Sequence, residues 1–195
     1  GKKIAKDTKT FNLFKPEDLK IKGEHNFKNA VMAAAVATEF GVNKKIIFKT
    51  VKNYRGLPYR LQFVKTLRGV KIYNDSASTN PMTTAAAIKS FKEKNVLIMG
   101  GRGKGLSYKP IAQVLKNSST KLVVLFGENK RKIAKVIKSR KIIFAESLEE
   151  ALKIAFKNSK SGEAVIFSPG AASFDMFLDY KDRGKKFNEI VKKLN

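Results

Sequence analysis

Ile72-Tyr73-Asn74-Asp75-Ser76-Ala77-Ser78-Thr79-Asn80-Pro81 runs from a short apolar strand, through small polar residues, into the start of a helix. Asn80 reads as the N-cap, and Pro81 suits the first helical position, where its missing N–H has no partner to lose. The loop sets a carboxylate, hydroxyls and free helix-start amides at one point, a combination suited to an anionic ligand. Capping alone also accounts for Asn80-Pro81, so an isolated match carries little weight. Two later loops of the same construction change that balance.

Strands and helices alternate from this unit onward. A helix over Pro81–Lys92 precedes a strand at Asn95-Val96-Leu97-Ile98-Met99, and one near Tyr108–Lys116 precedes Leu122-Val123-Val124-Leu125-Phe126. A helix over Asn129–Lys138 precedes Lys141-Ile142-Ile143-Phe144. Ser147-Leu148-Glu149-Glu150 reads as a capping box opening a helix over Leu148–Asn158. A strand at Ala164-Val165-Ile166-Phe167 and a closing helix, Lys185–Leu194, complete the set. Upstream, Leu61-Gln62-Phe63-Val64-Lys65 and Val70-Lys71-Ile72-Tyr73, joined through Arg68-Gly69, predict a β-hairpin. Continuous apolar strands separated by helices predict an α/β fold, a Rossmann-like, mostly parallel sheet with helices on both faces.

Before residue 60 the pattern is helical. Ala30-Val31-Met32-Ala33-Ala34-Ala35-Val36-Ala37-Thr38-Glu39-Phe40 predicts a helix closed by Gly41, apolar enough to expect burial on several sides. Asn26 and Asn29 lie three apart on its first turn, where they can hydrogen-bond a purine or ribose or simply cap the helix. A second helix near Lys44–Asn53 ends at Arg55-Gly56-Leu57-Pro58-Tyr59-Arg60, and the Pro and Gly mark a domain boundary close to residue 60. At the start, Thr10–Phe14 reads as a strand and Lys15-Pro16-Glu17-Asp18 as a turn.

Composition narrows the function. The chain has 195 residues, 43% hydrophobic, with no apolar run near the ~18–20 residues of a membrane span and no signal peptide, so a cytoplasmic setting is expected. Without cysteine, and with His25 as the single histidine, thiolate and histidine-pair metal sites are excluded. Forty-one Lys+Arg against sixteen Asp+Glu give a net charge of +25. The lysines are scattered rather than striped and no RNA-binding aromatics interleave them, so no specific nucleic acid or membrane partner is expected. Non-specific polyanion binding at low salt is.

Ligands of an open α/β sheet bind beyond the carboxyl ends of its strands. Three loops fall there: Asn74–Asn80, Gly100-Gly101-Arg102-Gly103-Lys104-Gly105, and Ser168-Pro169-Gly170-Ala171-Ala172-Ser173-Phe174-Asp175. The glycines allow close approach to a ligand, Lys104 offers a positive point charge and Ser173 a hydroxyl, a set suited to a small carboxylate. Neither G-x-G-x-x-G nor G-x-x-x-x-G-K-[ST] occurs, so this chain has no phosphate cradle of its own and no dinucleotide fingerprint.

Six motifs in register, Gly23-x-His25-Asn26-x-x-Asn29, Leu57-Pro58-x-Arg60, Asn74-Asp75-Ser76-x-x-Thr79-Asn80-Pro81, Gly100-Gly101-x-x-Lys104-Gly105, Ser168-Pro169-x-x-Ala172-Ser173-Phe174-Asp175-x-Phe177 and Arg183-Gly184-x-x-Phe187, resemble the C-terminal portion of the Mur ligases. The resemblance implies an ATP-dependent amide ligase of peptidoglycan synthesis, using Mg²⁺, that adds D-glutamate to UDP-N-acetylmuramoyl-L-alanine through an acyl-phosphate. It implies that Asn26, Asn29, Arg60 and Asp75 contact the nucleotide, that Thr79, Lys104 and Ser173 grip the D-glutamate carboxylates, and that Tyr180 lies beside that amino acid. A related ligase for another amino acid, including a folylpolyglutamate synthetase, is the alternative. Residues 1–60 would then be the last part of a central ATPase domain, and 61–195 a whole amino-acid-binding domain of a monomeric enzyme. Such a fragment, without the phosphate loop and metal-binding residues, is expected to be catalytically silent alone. One departure stands out: Ala77 replaces a lysine common in the family, and Lys104 and Arg102 are the nearby cations that can compensate.

Overall fold

A computed structural model describes residues 13–138 and 141–194, which divide between a unit ending at Gly56 and one beginning at Leu57. The first unit contains a 3₁₀ turn at Pro16–Asp18 and helices α1 (Glu24–Glu39) and α2 (Lys44–Asn53). α1 closes as expected at Gly41, which adopts φ 75° while its N–H reaches Thr38 O (2.9 Å) and that of Val42 reaches Ala37 O (3.0 Å). Asn43 caps α2 by accepting from Lys45 N at 2.8 Å. Val31 and Ala34 are buried with Phe14 and Ile47, but Met32, Val36 and Phe40 are exposed. The burial on several sides expected of α1 is therefore not met. Its core stripe faces α2 and the segment before α1, and the opposite stripe is exposed. The strand expected over Thr10–Phe14 lies largely outside the described residues.

The second unit contains β1 (Gln62–Leu67), β2 (Val70–Asn74), α3 (Pro81–Lys89), β3 (Asn95–Gly100), α4 (Lys109–Lys116), β4 (Thr120–Phe126), α5 (Lys130–Val136), β5 (Lys141–Phe144), α6 (Leu148–Lys157), β6 (Ala164–Phe167) and α7 (Tyr180–Lys193). The strands form one sheet in the order β1-β2-β6-β3-β4-β5, antiparallel only at the β1–β2 hairpin. Arg68 and Gly69 turn that hairpin with φ of 48° and 76°, the left-handed pair that a tight two-residue hairpin requires.

Period-two alternation sends each strand's apolar residues to opposite faces. Leu97, Met99, Val123, Leu125 and Ile166 pack with Ile88 of α3, Ile111 and Leu115 of α4 and Ile133 of α5. Val96, Ile98, Val124, Val165 and Phe167 pack with Leu148 and Leu152 of α6 and Phe187 and Val191 of α7. With both faces covered, β3 and β6 are buried throughout, which is why they read as unbroken apolar runs.

Helix ends depart from expectation at several points, α5 among them, which spans Lys130–Val136 rather than Asn129–Lys138. α7 starts at Tyr180 rather than Lys185, because Asp179 caps it by accepting from Asp182 N at 2.7 Å. α3 stops at Lys89, where Ser90 turns its hydroxyl back to Ala86 O at 3.0 Å. Ser147 caps α6 by accepting from Glu150 N (3.1 Å), but Glu150 Oε2 accepts from Glu146 N (2.8 Å), one residue before the reciprocal bond of a capping box. Lys52, Lys89, Lys116, Lys135, Lys157, Lys192 and Lys193 occupy last helical turns, so part of the positive charge complements helix dipoles.

Phe187 is fully buried and stacked on Phe167, centroids 4.6 Å apart. Phe187→Ala is expected to lower unfolding free energy by about 3–5 kcal/mol in denaturant titrations. A loss below about 1 kcal/mol would mean that α7 contributes little to this core.

Candidate functional site

Strand order sets three loops side by side. β2, β6 and β3 are parallel neighbours, so the segments that leave them, 75–80, 168–179 and 101–108, share the carboxyl rim of the sheet. Backbone hydrogen bonds stitch these segments together. Asp75 N donates to Phe167 O (2.7 Å), Gly170 N to Ser78 O (2.9 Å), and Gly100 N to Pro169 O (3.0 Å). Arg102 and Ala172 exchange two bonds of 2.9 and 3.0 Å. The tie points adjoin the candidate side chains: Ser78 precedes Thr79, Ala172 precedes Ser173, and Arg102 lies two residues before Lys104. Thr79 is half-buried, Ser173 buried and Lys104 exposed.

Two glycines expected to meet a ligand have another purpose. A Cβ on Gly100 would collide with Phe126 O and one on Gly101 with Ala172 O, and both residues have φ near 135–140°. Gly100 lets the end of β3 approach the end of β4, and Gly101 lets the loop after β3 approach the loop after β6. Gly105, at φ 71°, has open space where a Cβ would be.

Arg183, on the first turn of α7, joins the loops from beneath with its side chain completely buried. Nε donates to Ser76 Oγ (3.0 Å), Nη2 to Ser76 O (2.9 Å), and Nη1 to Ala171 O (3.1 Å) and Ala172 O (3.2 Å). The guanidinium lies 5.9 Å from the Phe167 ring centroid. Burial pulls its pKa down to about 10 while the Asp175 charge holds it up, leaving it protonated at neutral pH. Ser76 Oγ in turn donates to Tyr180 O (2.8 Å), and Asn74 Nδ2 to Gly184 O and Asn188 Oδ1, both at 2.8 Å. In the sequence Arg183 stands out only within a motif, because charge on an amphipathic helix predicts a solvent-facing position. The small Gly184 beside it is the signal of close packing.

Asp75 is 2% exposed. Its Oδ1 accepts from Leu61 N (3.0 Å) and its Oδ2 from Ser168 Oγ (2.7 Å), and Ser168 also meets Thr84 Oγ1 at 3.0 Å. Burial pushes its pKa up to about 6, against the opposing hydrogen bonds from Ser78, Ser168 and Leu61 and the Arg60 charge. Arg60 is exposed on the turn just before β1, and Tyr180 is 36% exposed at the start of α7. Asn80 caps α3 as read, accepting from Thr83 N at 3.0 Å.

In the first unit, Asn26 and Asn29 do not cap α1, whose N-cap is Gly23 at φ 102°. Asn26 Nδ2 donates back to Lys22 O (2.7 Å), and Asn29 is exposed. Ala77, where the lysine is missing, gives its N–H to Tyr59 O at 2.9 Å. Of the two cations expected to compensate, Lys104 and Arg102, the second is engaged with Glu128 (3.0 Å). Among the described residues no group of three or more acidic or histidine side chains can hold a metal ion, so these residues do not fit a Mg²⁺ site on their own.

Residues 59–170 match the family model "Mur ligase, glutamate ligase domain". The UDP-N-acetylmuramoylalanine–D-glutamate ligase of Aquifex aeolicus is 40% identical over 185 residues, 94% of this chain and 44% of the relative. That of Thermoanaerobacter sp. (strain X514) is 38% identical over 183 residues, 91% of this chain and 40% of the relative. The chain thus spans about four-tenths of the curated relatives it matches. Among solved structures, the UDP-N-acetylmuramate–alanine ligase of Thermotoga maritima superposes with a TM-score of 0.67 at 17% identity, over 90% of this chain and 39% of that one. Mycobacterium tuberculosis folylpolyglutamate synthase gives 0.64 at 17%, over 88% and 41%. These structures share the fold.

Because Asp75 titrates near 6 in the fold against 3.8 for a free carboxyl, folding favours its neutral form. Its contribution to stability is greatest at low pH and is lost as the pH rises from about 4 through about 6. Relative to Asp75→Asn, the parent chain is expected to gain roughly 2–3 kcal/mol between neutral pH and pH ~4 in paired denaturant titrations. A difference that does not vary with pH would assign Asp75 an ordinary pKa.

Proposed function

We infer the function from one premise: the chain belongs to the Mur ligase family, through its glutamate ligase domain. Residues 61–195 are the amino-acid-binding domain, and residues 1–60 the last part of the central ATPase domain, of a ligase that joins D-glutamate to UDP-N-acetylmuramoyl-L-alanine in peptidoglycan synthesis. The observation that carries this reading is the stitched rim, which sets the loops bearing Thr79, Lys104 and Ser173 next to one another. A dicarboxylic amino acid needs a cation and several hydroxyl or amide donors converging from different directions. Loops from three adjacent strands supply that convergence.

In the reaction the alanine carboxylate is phosphorylated from ATP, and the D-glutamate amine attacks the acyl-phosphate with departure of phosphate. This chain's own part is positioning. Lys104 and the hydroxyls of Thr79 and Ser173 bind the glutamate carboxylates and hold the amine toward the acyl carbon, and Tyr180 flanks the amino acid. Nucleotide contacts are assigned to Arg60 and Asp75 in this domain and, separately, to Asn26 and Asn29 in the first unit. ATP phosphates and Mg²⁺ are bound chiefly by the remainder of the enzyme. The enzyme acts in the cytoplasm as a monomer.

An ATP-dependent ligation assay tests the assignment. In the full-length enzyme, Lys104→Ala removes a charge-assisted contact and is expected to raise the D-glutamate KM about 10- to 100-fold. An unchanged KM would remove Lys104 from the site. The 195-residue chain by itself is expected to give no turnover, and measurable ligation would overturn the division of labour.

A further inference from the structure

Lys104 stands between Gly103 and Gly105, and among the described residues no backbone N–H from Gly103 to Ser107 donates to another backbone group. The loop by itself therefore gives the lysine little direction. That direction comes from a fourth rim segment, Gly127-Glu128-Asn129, which leaves β4. Asn129 N donates to Gly101 O (3.1 Å), Arg102 Nε to Glu128 Oε2 (3.0 Å), and Asn129 Nδ2 to the Tyr108 hydroxyl (2.6 Å). Gly101 and Tyr108 are the two ends of the Lys104 loop. Between them, Asn129 Nδ2 lies 3.7 Å from the place that a Cβ on Gly103 would take. The segment is tied equally to the loop after β6, where Glu128 N donates to Asp175 Oδ2 (3.0 Å), two residues beyond Ser173.

Asn129 occupies the N-cap of α5, where an asparagine ordinarily accepts from a first-turn amide, yet its side chain makes no capping bond. It is committed to Tyr108 instead, and both residues are buried. Either orientation of the amide bonds that hydroxyl, because a phenol both donates and accepts. The amide's other polar atom, Oδ1, is buried with no partner among the described residues, a cost that an apolar residue of similar volume would avoid. A side chain that forgoes its cap and leaves an acceptor unmet is not placed there for stability. We propose that Asn129 is a positioning residue for D-glutamate recognition: its backbone holds the start of the Lys104 loop, its side chain holds the end, and the two together fix where the ammonium stands. This rests on the assignment of Lys104 to the glutamate carboxylates. It brings into the site a loop that carries none of the candidate contacts.

Double-mutant cycles in the full-length ligase, reading the KM for D-glutamate and for ATP separately, test the proposal. Tyr108→Phe removes one hydroxyl, and Asn129→Leu removes the amide at nearly constant volume. Each is expected to raise the D-glutamate KM about three- to tenfold with the ATP KM unmoved. The two together are expected to do no more than one, because both break the same bond. In the Lys104→Ala background neither is expected to add anything, since no ammonium is left to place. Equal factors with and without Lys104 would overturn the positioning role while leaving the assignment of Lys104 intact. A D-glutamate KM unaffected by Lys104→Ala would overturn that assignment, and the proposal with it. Equal rises in both KM values, or no rise in either, would reduce the Asn129–Tyr108 pair to a structural contact and overturn the proposal. If Asn129→Leu does not fold, the Tyr108→Phe cycle with Lys104→Ala decides alone.

Discussion

A single buried guanidinium holds the rim together. Arg183 donates four hydrogen bonds to two loops that enter the rim from different strands, and the second of these is itself bonded to the third through Arg102 and Ala172. Among the described residues no carboxylate accepts from it. Its acceptors are one hydroxyl and three backbone carbonyls, so its geometry is set by loop backbone rather than by a mobile acidic side chain. Desolvating an arginine is costly, and the cost is offset only while every one of those acceptors stays in place. The loops are thereby coupled: displacing one strands a buried charge.

The rest of the unit serves that coupling. A parallel order of β2, β6 and β3 gives three loops one edge, Gly101 lets the loop after β3 touch the loop after β6, and α7 begins early enough to carry Arg183 under them. Asp179, by capping α7, decides where that first turn lies. Asn74 and Ser76 bind the loop after β2 to the same helix. Substrate-facing groups can then stay small and few, because the framework behind them fixes their directions. This is the usual division in α/β proteins, with a rigid sheet and functional loops at its carboxyl edge.

The elements were legible in the sequence because buried parallel strands leave continuous apolar runs and because Asn80-Pro81, Gly41 and Ser147 mark helix ends by local chemistry. The loops that form the site were legible from composition. What was hidden depends on tertiary partners. The start of α7 was hidden because Gly184 and the lysines after it outweigh one aspartate cap. Arg183 was hidden because its burial requires the loop after β6 and the loop after β2, the latter more than a hundred residues away, to meet over it. Gly100 and Gly101 were read as open to a ligand, but their space is taken by Phe126 O and Ala172 O. Asn26 and Asn29 left a choice between capping and binding, and Gly23, as N-cap, removes the first option. For α1, composition implied burial on several sides, but Met32, Val36 and Phe40 are exposed.

Hydrogen exchange on Arg183→Lys tests the coupling most directly, since lysine keeps the charge but loses the planar fork. Joint acceleration is predicted at the amides of Ala77 and Ser78, of Arg102, and of Gly170 and Ala172, with the strands unchanged. Acceleration confined to α7, with the loops after β2 and β3 as protected as before, would contradict the account and leave the candidate carboxylate-binding residues without a common support.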